Sequence, residues 1–207
     1  NYSRAAALSL VTPGAVLPDA LASNPCEARF ISSLASALGF NPYGDAKYLD
    51  PAGSTSFTET THALSVTAAG RVSLQVFEPM ERFQSASDST ESRIEAAREL
   101  LADISGSSLG EARLYLTAVS TDGARTVCTF AYFLNGVRVS SIESAAVTFE
   151  GPRITSANIL LRMVQPTAEH ASLLPAAQAA AILRYGQPLA LCYVEHGEDS
   201  LTAAWMG

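Results

Sequence analysis

The sequence predicts an α+β fold of two tandem units, each an antiparallel meander sheet with helices packed on one face. Most apolar segments are short, alternate with polar residues and end at Gly- or Asn-containing turns, which is typical of strands joined in hairpins. A run of three strands and a helix spans Arg125 to Arg184. A weaker version of the same pattern occupies Thr55 to Val76, and this repetition favours a duplicated unit.

The length and composition suit a folded chain with a real core. The chain has 207 residues, of which 48% are hydrophobic and 16% charged, with a net charge of −7. This charge offers no basic surface for nucleic acid or anionic lipid. We expect a lead-in arm over residues 1–23, an N-terminal unit over 24–84 and a C-terminal unit over 85–207.

In the first unit, the sequence predicts a helix followed by a strand pair. Asn24 is a good N-cap, and Pro25 and Glu27 follow with the spacing of a helix start. Gly39 is suited to end this helix, since glycine accepts the left-handed conformation that follows many helices. The strand pair turns at Ala69-Gly70.

In the second unit, a helix is expected from Asp88 and Glu91, which have capping-box spacing, to Gly106. Turns are expected at Asp122-Gly123, Asn135-Gly136 and Gly151-Pro152. The elements between and after these turns are strands at 111–120, 126–133, 138–149 and 154–164, a helix at 173–184, and strands at 189–194 and 201–205.

An aromatic group on the central strands is the candidate partner-binding surface. Phe130 and Tyr132 share one face of their strand, whereas Phe133 points to the other. Such residues suit either a core or an exposed sheet face that receives a partner, and both interpretations stay open. With Phe149 and Trp205 they form the predicted surface, and edge strands near Glu111 or Trp205 are further places where a strand could be added.

The sequence carries no catalytic, cofactor or metal motif. Its three cysteines, Cys26, Cys128 and Cys192, form no CxxC pair; the last two are either buried thiols or a bridge between neighbouring strands. The three histidines stand alone, and no nucleophile elbow or phosphate loop is present. His196 lies in a polar turn that suits a solvated hairpin tip or a weak cation site. We therefore expect that the chain is not an enzyme and that it binds no cofactor and no resident metal.

Two segments carry a family resemblance. Phe130-Ala-Tyr-Phe-Leu-Asn-Gly-Val-Arg-Val139 and Ala146-Val-Thr-Phe-Glu-Gly-Pro-Arg-Ile154 resemble the repeating unit of YycI/YycH-type proteins and are similar to smaller PepSY-like units. The closing strands, 189–205, resemble the hairpin that ends those proteins. The resemblance covers about 113–205, and 27–76 more weakly. The transmembrane helix that begins those proteins has no counterpart in this chain.

The resemblance implies an extracytoplasmic regulatory module, membrane-anchored in the full-length protein, that contacts a membrane sensor histidine kinase or a sister regulator. It implies no catalytic residue. Two alternatives remain: a PepSY-like protease inhibitor or secretion chaperone, and a small hydrolase with an unrecognised site. Nucleic acid is not an expected partner.

Overall fold

The computed structural model describes residues 16–182, 189–197 and 199–207. Thirteen strands of the described chain join one sheet, and three helices accompany it. The strands are β1 (Val16–Ser23), β2 (Lys47–Leu49), β3 (Thr55–Thr58), β4 (His62–Val66), β5 (Arg71–Val76), β6 (Arg113–Asp122), β7 (Arg125–Leu134), β8 (Val137–Val139), β9 (Ala145–Glu150), β10 (Arg153–Leu160), β11 (Met163–Ser172), β12 (Ala190–Glu195) and β13 (Ser200–Met206). The helices are α1 (Ala28–Ala37), α2 (Thr90–Ser105) and α3 (Ala176–Ile182).

The predicted α+β fold of two tandem units with helices on one face is wrong. Strands make up 48% and helices 19% of the described residues, and one sheet takes in strands from both predicted units. The strand order is β11-β1-β13-β12-β8-β7-β9-β10-β5-β4-β3-β2, with β6 paired to β7 outside this path. Pairing of β10 with β5 joins the two halves of the chain, for example at Ile159 and Val72.

Strand β1 lies within the interval predicted as a lead-in arm, yet it is an interior strand of the sheet. It pairs along its length with β11 and at Ala20 and Leu21 with β13. Residues 1–15 of that interval lie outside the described residues. The predicted strand 154–164 is also two strands, because β10 ends at Leu160 and β11 begins at Met163.

The predicted hairpin turns are confirmed. Asn135 and Gly136 have φ values of 52° and 77°, the positive pair that a type I′ turn needs, and they connect β7 to β8. Gly123 follows Asp122 at the end of β6, and Gly151-Pro152 connects β9 to β10. These turns form because glycine and asparagine adopt positive φ at low cost.

Both helix starts differ from the prediction. The helix α1 begins after Glu27, because the side chain of Asn24 accepts a hydrogen bond from the Cys26 N–H and donates to the Ala68 carbonyl. Asn24 therefore ties the chain to the β4–β5 turn rather than capping the helix. In α2, Ser89 is the N-cap and accepts from the Ser92 N–H at 3.2 Å.

The core is one cluster of buried side chains that draws on both halves of the chain. Cys128 and Cys192 belong to the buried set and are free thiols, on strands separated by β8. Among the described residues, no helix has the length and apolar character needed to cross a membrane.

Candidate interaction surface

The residues of the predicted aromatic surface do not lie on one surface. Phe130, Tyr132 and Phe149 are almost fully buried in the core. The hydroxyl of Tyr132 donates to the Leu160 carbonyl at 3.0 Å, and burial raises the pKa of this phenol, so it stays neutral. In this structure these three side chains hold β7 and β9 against the core and are not available to a partner.

Phe133 and Trp205 are half-buried and lie apart from that cluster. Phe133 is on the opposite face of β7, where its ring meets Tyr115 edge to face with centroids 5.3 Å apart. Tyr115 is 56% exposed, so this pair presents aromatic surface to solvent. The indole N–H of Trp205 donates to the Leu174 carbonyl at 2.9 Å, which fixes the end of β13 to the segment before α3.

Strand β6 is paired on one side only within the described structure. It runs for ten residues beside β7, and most of its side chains are exposed. β7 uses its other side for β8 and β9. The strand expected from Glu111 is therefore a sheet edge, whereas β13 is paired with β12 on one side and with β1 on the other.

The two hairpin turns determine which backbone groups of β6 face outward. A two-residue turn closes on a hydrogen-bonded pair, so Asp122 directs its N–H and C=O toward Arg125, and Thr121 and Val119 direct theirs away from β7. At the other end, the Asn135-Gly136 turn makes the same kind of pair between β7 and β8.

Starting from that second turn, the direction of the backbone N–H and C=O groups alternates from residue to residue along β7, and this determines the direction of those groups at the start of β6. Leu134 points its backbone groups at Val137 in β8, and Phe133 points its own at Arg113. Leu114 and Leu116 therefore face outward. Even-numbered residues thus face outward at the start of β6 and odd-numbered residues at its end. The bulge between Leu116 and Ala118 adds one residue and so produces this change. The outward-facing set is Leu114, Leu116, Val119 and Thr121.

An apolar cavity of about 530 Å³ lies beside the start of β6, between it and the C-terminal end of α2. Leu101, Leu109, Leu114 and Phe130 contribute its apolar wall. Two guanidinium groups border it. That of Arg113 donates to the carbonyls of Gly110 and Ala112, which holds it at this end of the strand.

The second guanidinium at the cavity belongs to Arg98 of α2. It donates to Glu95 at 3.2 Å, and both side chains are more than half exposed. An exposed pair of this kind contributes about 0–1 kcal/mol, so Arg98 can exchange this partner for another anion at little cost. The cavity thus combines an apolar wall with basic groups at its border.

The described residues hold no group of three or more His, Cys, Asp or Glu side chains placed to bind a metal ion. His62 is buried between Phe40 and Phe83, with its Nδ1 hydrogen-bonded to the Thr61 hydroxyl. Burial lowers the pKa of His62. His170 and His196 are exposed on β11 and beside the β12–β13 turn.

Sequence reasoning named this strand as a possible edge but not the residues that matter on it. The alternation of Leu114 and Leu116 marks a strand, and Asp122-Gly123 marks its end. The bulge at Thr117, which sets the outward-facing residues, has no glycine or other signal in the sequence.

No protein-family model matches the chain, and no curated protein matches it.

Proposed function

We propose that this chain is a non-enzymatic interaction domain that binds an extended segment of another polypeptide along β6. The observation that carries the proposal is a ten-residue strand that pairs on only one side within the described residues and lies next to an apolar cavity. An edge strand presents a row of backbone donors and acceptors that an added strand satisfies.

The affinity and the specificity of this binding have different sources. Four residues of β6 direct N–H and C=O groups outward, and each hydrogen bond they form contributes about 0.5–1.5 kcal/mol net. Those backbone hydrogen bonds do not depend on the sequence of the added strand. Selectivity comes from side chains of the added strand, one of which can reach the cavity at Leu114.

We propose an extracytoplasmic setting, with a membrane sensor histidine kinase or a sister regulator as the partner and an anchor in the full-length protein. The support is the resemblance of 130–139 and 146–154 to YycI/YycH-type units and their turn pattern. The acidic net charge of −7 also suits a protein partner better than a nucleic acid.

Selection from a library of random linear peptides tests the edge directly. Val119→Pro removes one outward N–H without touching a bond to β7, whereas the control Val119→Ala keeps that N–H. Selected peptides should bind Val119→Pro about three- to tenfold more weakly than Val119→Ala, as the loss of one hydrogen bond requires. Fluorescence anisotropy measures both dissociation constants.

A second pair of variants tests the cavity. Ala102 lines it from an exposed helix position, so Ala102→Leu narrows it and Ala102→Ser leaves it open. Peptides selected on the wild type should lose affinity only for Ala102→Leu. Equal binding to all four variants, or no selected peptide, would remove β6 and the cavity as a binding site for segments of other polypeptides.

A further inference from the structure

We propose that the occupant of the β6 edge is β6 of a second copy of this chain, paired antiparallel across a two-fold axis between Thr117 and Ala118. The inference rests on the proposed function and concerns the same edge: in the homodimer a second copy occupies β6, in place of the kinase or sister regulator proposed above. It follows from the position of the bulge, the charges at the two ends of β6 and a comparison with the other sheet edges.

The outward-facing residues are compatible with this two-fold register. In an antiparallel pair, residues directly opposite one another lie on the same face and share hydrogen-bonding class. Pairing Leu116 with Val119 of the second copy, and Leu114 with Thr121, uses all four outward-facing residues. The bulges of the two copies then lie opposite each other at the axis. Thr117 and Ala118 separate Leu116 from Val119 in both strands, so the spacing between paired residues is the same in each.

The same register places complementary side chains together. Arg113 of each copy lies opposite Asp122 of the other, which gives two opposite-charge pairs at the two ends of the paired strands. Tyr115 lies opposite Ser120. Cross-strand pairs of opposite charge stabilise a sheet, whereas like charges directly opposite destabilise it.

The bulge is what permits this match. In a regular strand, residues of the same hydrogen-bonding class are an even number of positions apart, and residues that lie opposite each other must share that class. Arg113 and Asp122 are an odd number of positions apart. They could therefore not lie opposite each other if β6 were regular and paired with its own copy. The extra residue at Thr117 shifts the alternation by one. A symmetric pairing of β6 therefore becomes compatible with opposite charges at its ends.

The other two ends of the sheet carry features that oppose strand addition. At one end, β2 has only three residues and contains Lys47. At the other, β11 contains Pro166, which has no N–H to donate, and the exposed charge of Glu169. Short edges, lysine and proline are the common protections of edge strands. Strand β6 has ten residues and neither lysine nor proline, with charges only at Arg113 and Asp122.

Charge reversal in the full chain tests the pairing by sedimentation equilibrium from micromolar to millimolar concentration. Arg113→Asp and Asp122→Arg should each raise the dimer dissociation constant about tenfold, since each replaces two attractive pairs by two repulsive ones. The double variant restores the pairs and should lie within about threefold of the wild type. Arg29→Asp, at an exposed position of α1, is the charge control and should change little.

Spin labels test the register independently, in a Cys26→Ser background because Cys26 is the half-buried thiol. Two labels at Asp122→Cys should be ~30 Å apart in the dimer, since nine residue steps of ~3.3 Å separate the positions along the strands. Labels at Ala118→Cys should be much closer, being next to the axis. Circular dichroism and melting temperature confirm that each variant is folded.

A wild type that stays monomeric at millimolar concentration would overturn the self-pairing, and so would a dimer insensitive to both charge reversals or with the reverse order of label distances. None of these results would overturn the proposed function, because peptide binding to Val119→Ala and Val119→Pro is measured separately. Conversely, failure of the peptide selection alongside a dimer with the expected responses would leave self-association as the only role of this edge.

Discussion

Replacement of Tyr132 by alanine separates a core role from a binding role for the aromatic residues of β7. The Tyr132 side chain is fully buried, and its ring packs among core residues of both halves of the chain. Removing a buried aromatic ring loses its transfer free energy and leaves a cavity, and such substitutions cost about 3–5 kcal/mol. We expect Tyr132→Ala to lower the free energy of unfolding by that amount.

Tyr132→Phe divides this cost into its parts. The ring stays in place, but the Leu160 carbonyl loses the hydroxyl that donates to it at 3.0 Å. Losing one part-buried hydrogen bond costs about 0.5–1.5 kcal/mol, so this variant should be clearly more stable than Tyr132→Ala. Urea unfolding followed by circular dichroism measures both, with the slope against urea compared to confirm a two-state transition.

Phe133→Ala is the matched control, because its ring is half-buried on the other face of the same strand and touches Tyr115. It should cost about 1 kcal/mol, roughly the worth of an edge-to-face contact. A cost below about 1 kcal/mol for Tyr132→Ala, or an equal cost for Phe133→Ala, would refute the assignment of the buried face.

Two further perturbations test other parts of the fold. Burial lowers the pKa of His62, so the unfolded chain binds its proton more tightly, and stability should fall as the pH drops below about 6.5. His62→Phe should flatten that dependence in urea titrations between neutral and acidic pH; an unchanged slope would contradict it. Gly110→Ala should cost well over 1 kcal/mol, because a Cβ there would lie 2.3 Å from the Val164 carbonyl oxygen at φ +67°. Gly123→Ala, with φ +57° and open space, should cost only about 1 kcal/mol in thermal or urea unfolding, and equal losses would argue against the close approach.

The parts of the fold that could be predicted from the sequence depend on neighbours along the chain. Asn135-Gly136 and Gly151-Pro152 specify their turns by local backbone preference, and the strands on either side follow. The end of α2 at Gly106 is local in the same way. The sequence also places Phe130 and Tyr132 on one face of β7 and Phe133 on the other, because successive side chains of a strand point to opposite faces.

Strands held by distant partners could not be predicted. The segment Met163–Ser172 contains Pro166 and shows no clear alternation, yet it forms β11 because β1 pairs with it along its length. The same distant pairing makes Val16–Ser23 a strand rather than an arm. The pairing of β10 with β5 depends on residues more than eighty positions apart, and no short motif reports it. These long-range pairs are what turned two expected units into one sheet.

Knowledge of the strand order changes which sequence features bear on function. Lys47 and Pro166 look like ordinary polar and turn residues until β2 and β11 prove to be the ends of the sheet, where both oppose strand addition. Strand β6 differs because it is long, no other described strand pairs with its outer side, and it has opposite charges at its two ends. An unprotected strand edge can pair with other chains without control. A protein that keeps such an edge therefore needs either a partner that covers it or a pairing that is restricted to one register. The bulge at Thr117 provides such a register, because it makes Arg113 and Asp122 complementary in a two-fold pair and mismatched in neighbouring alignments.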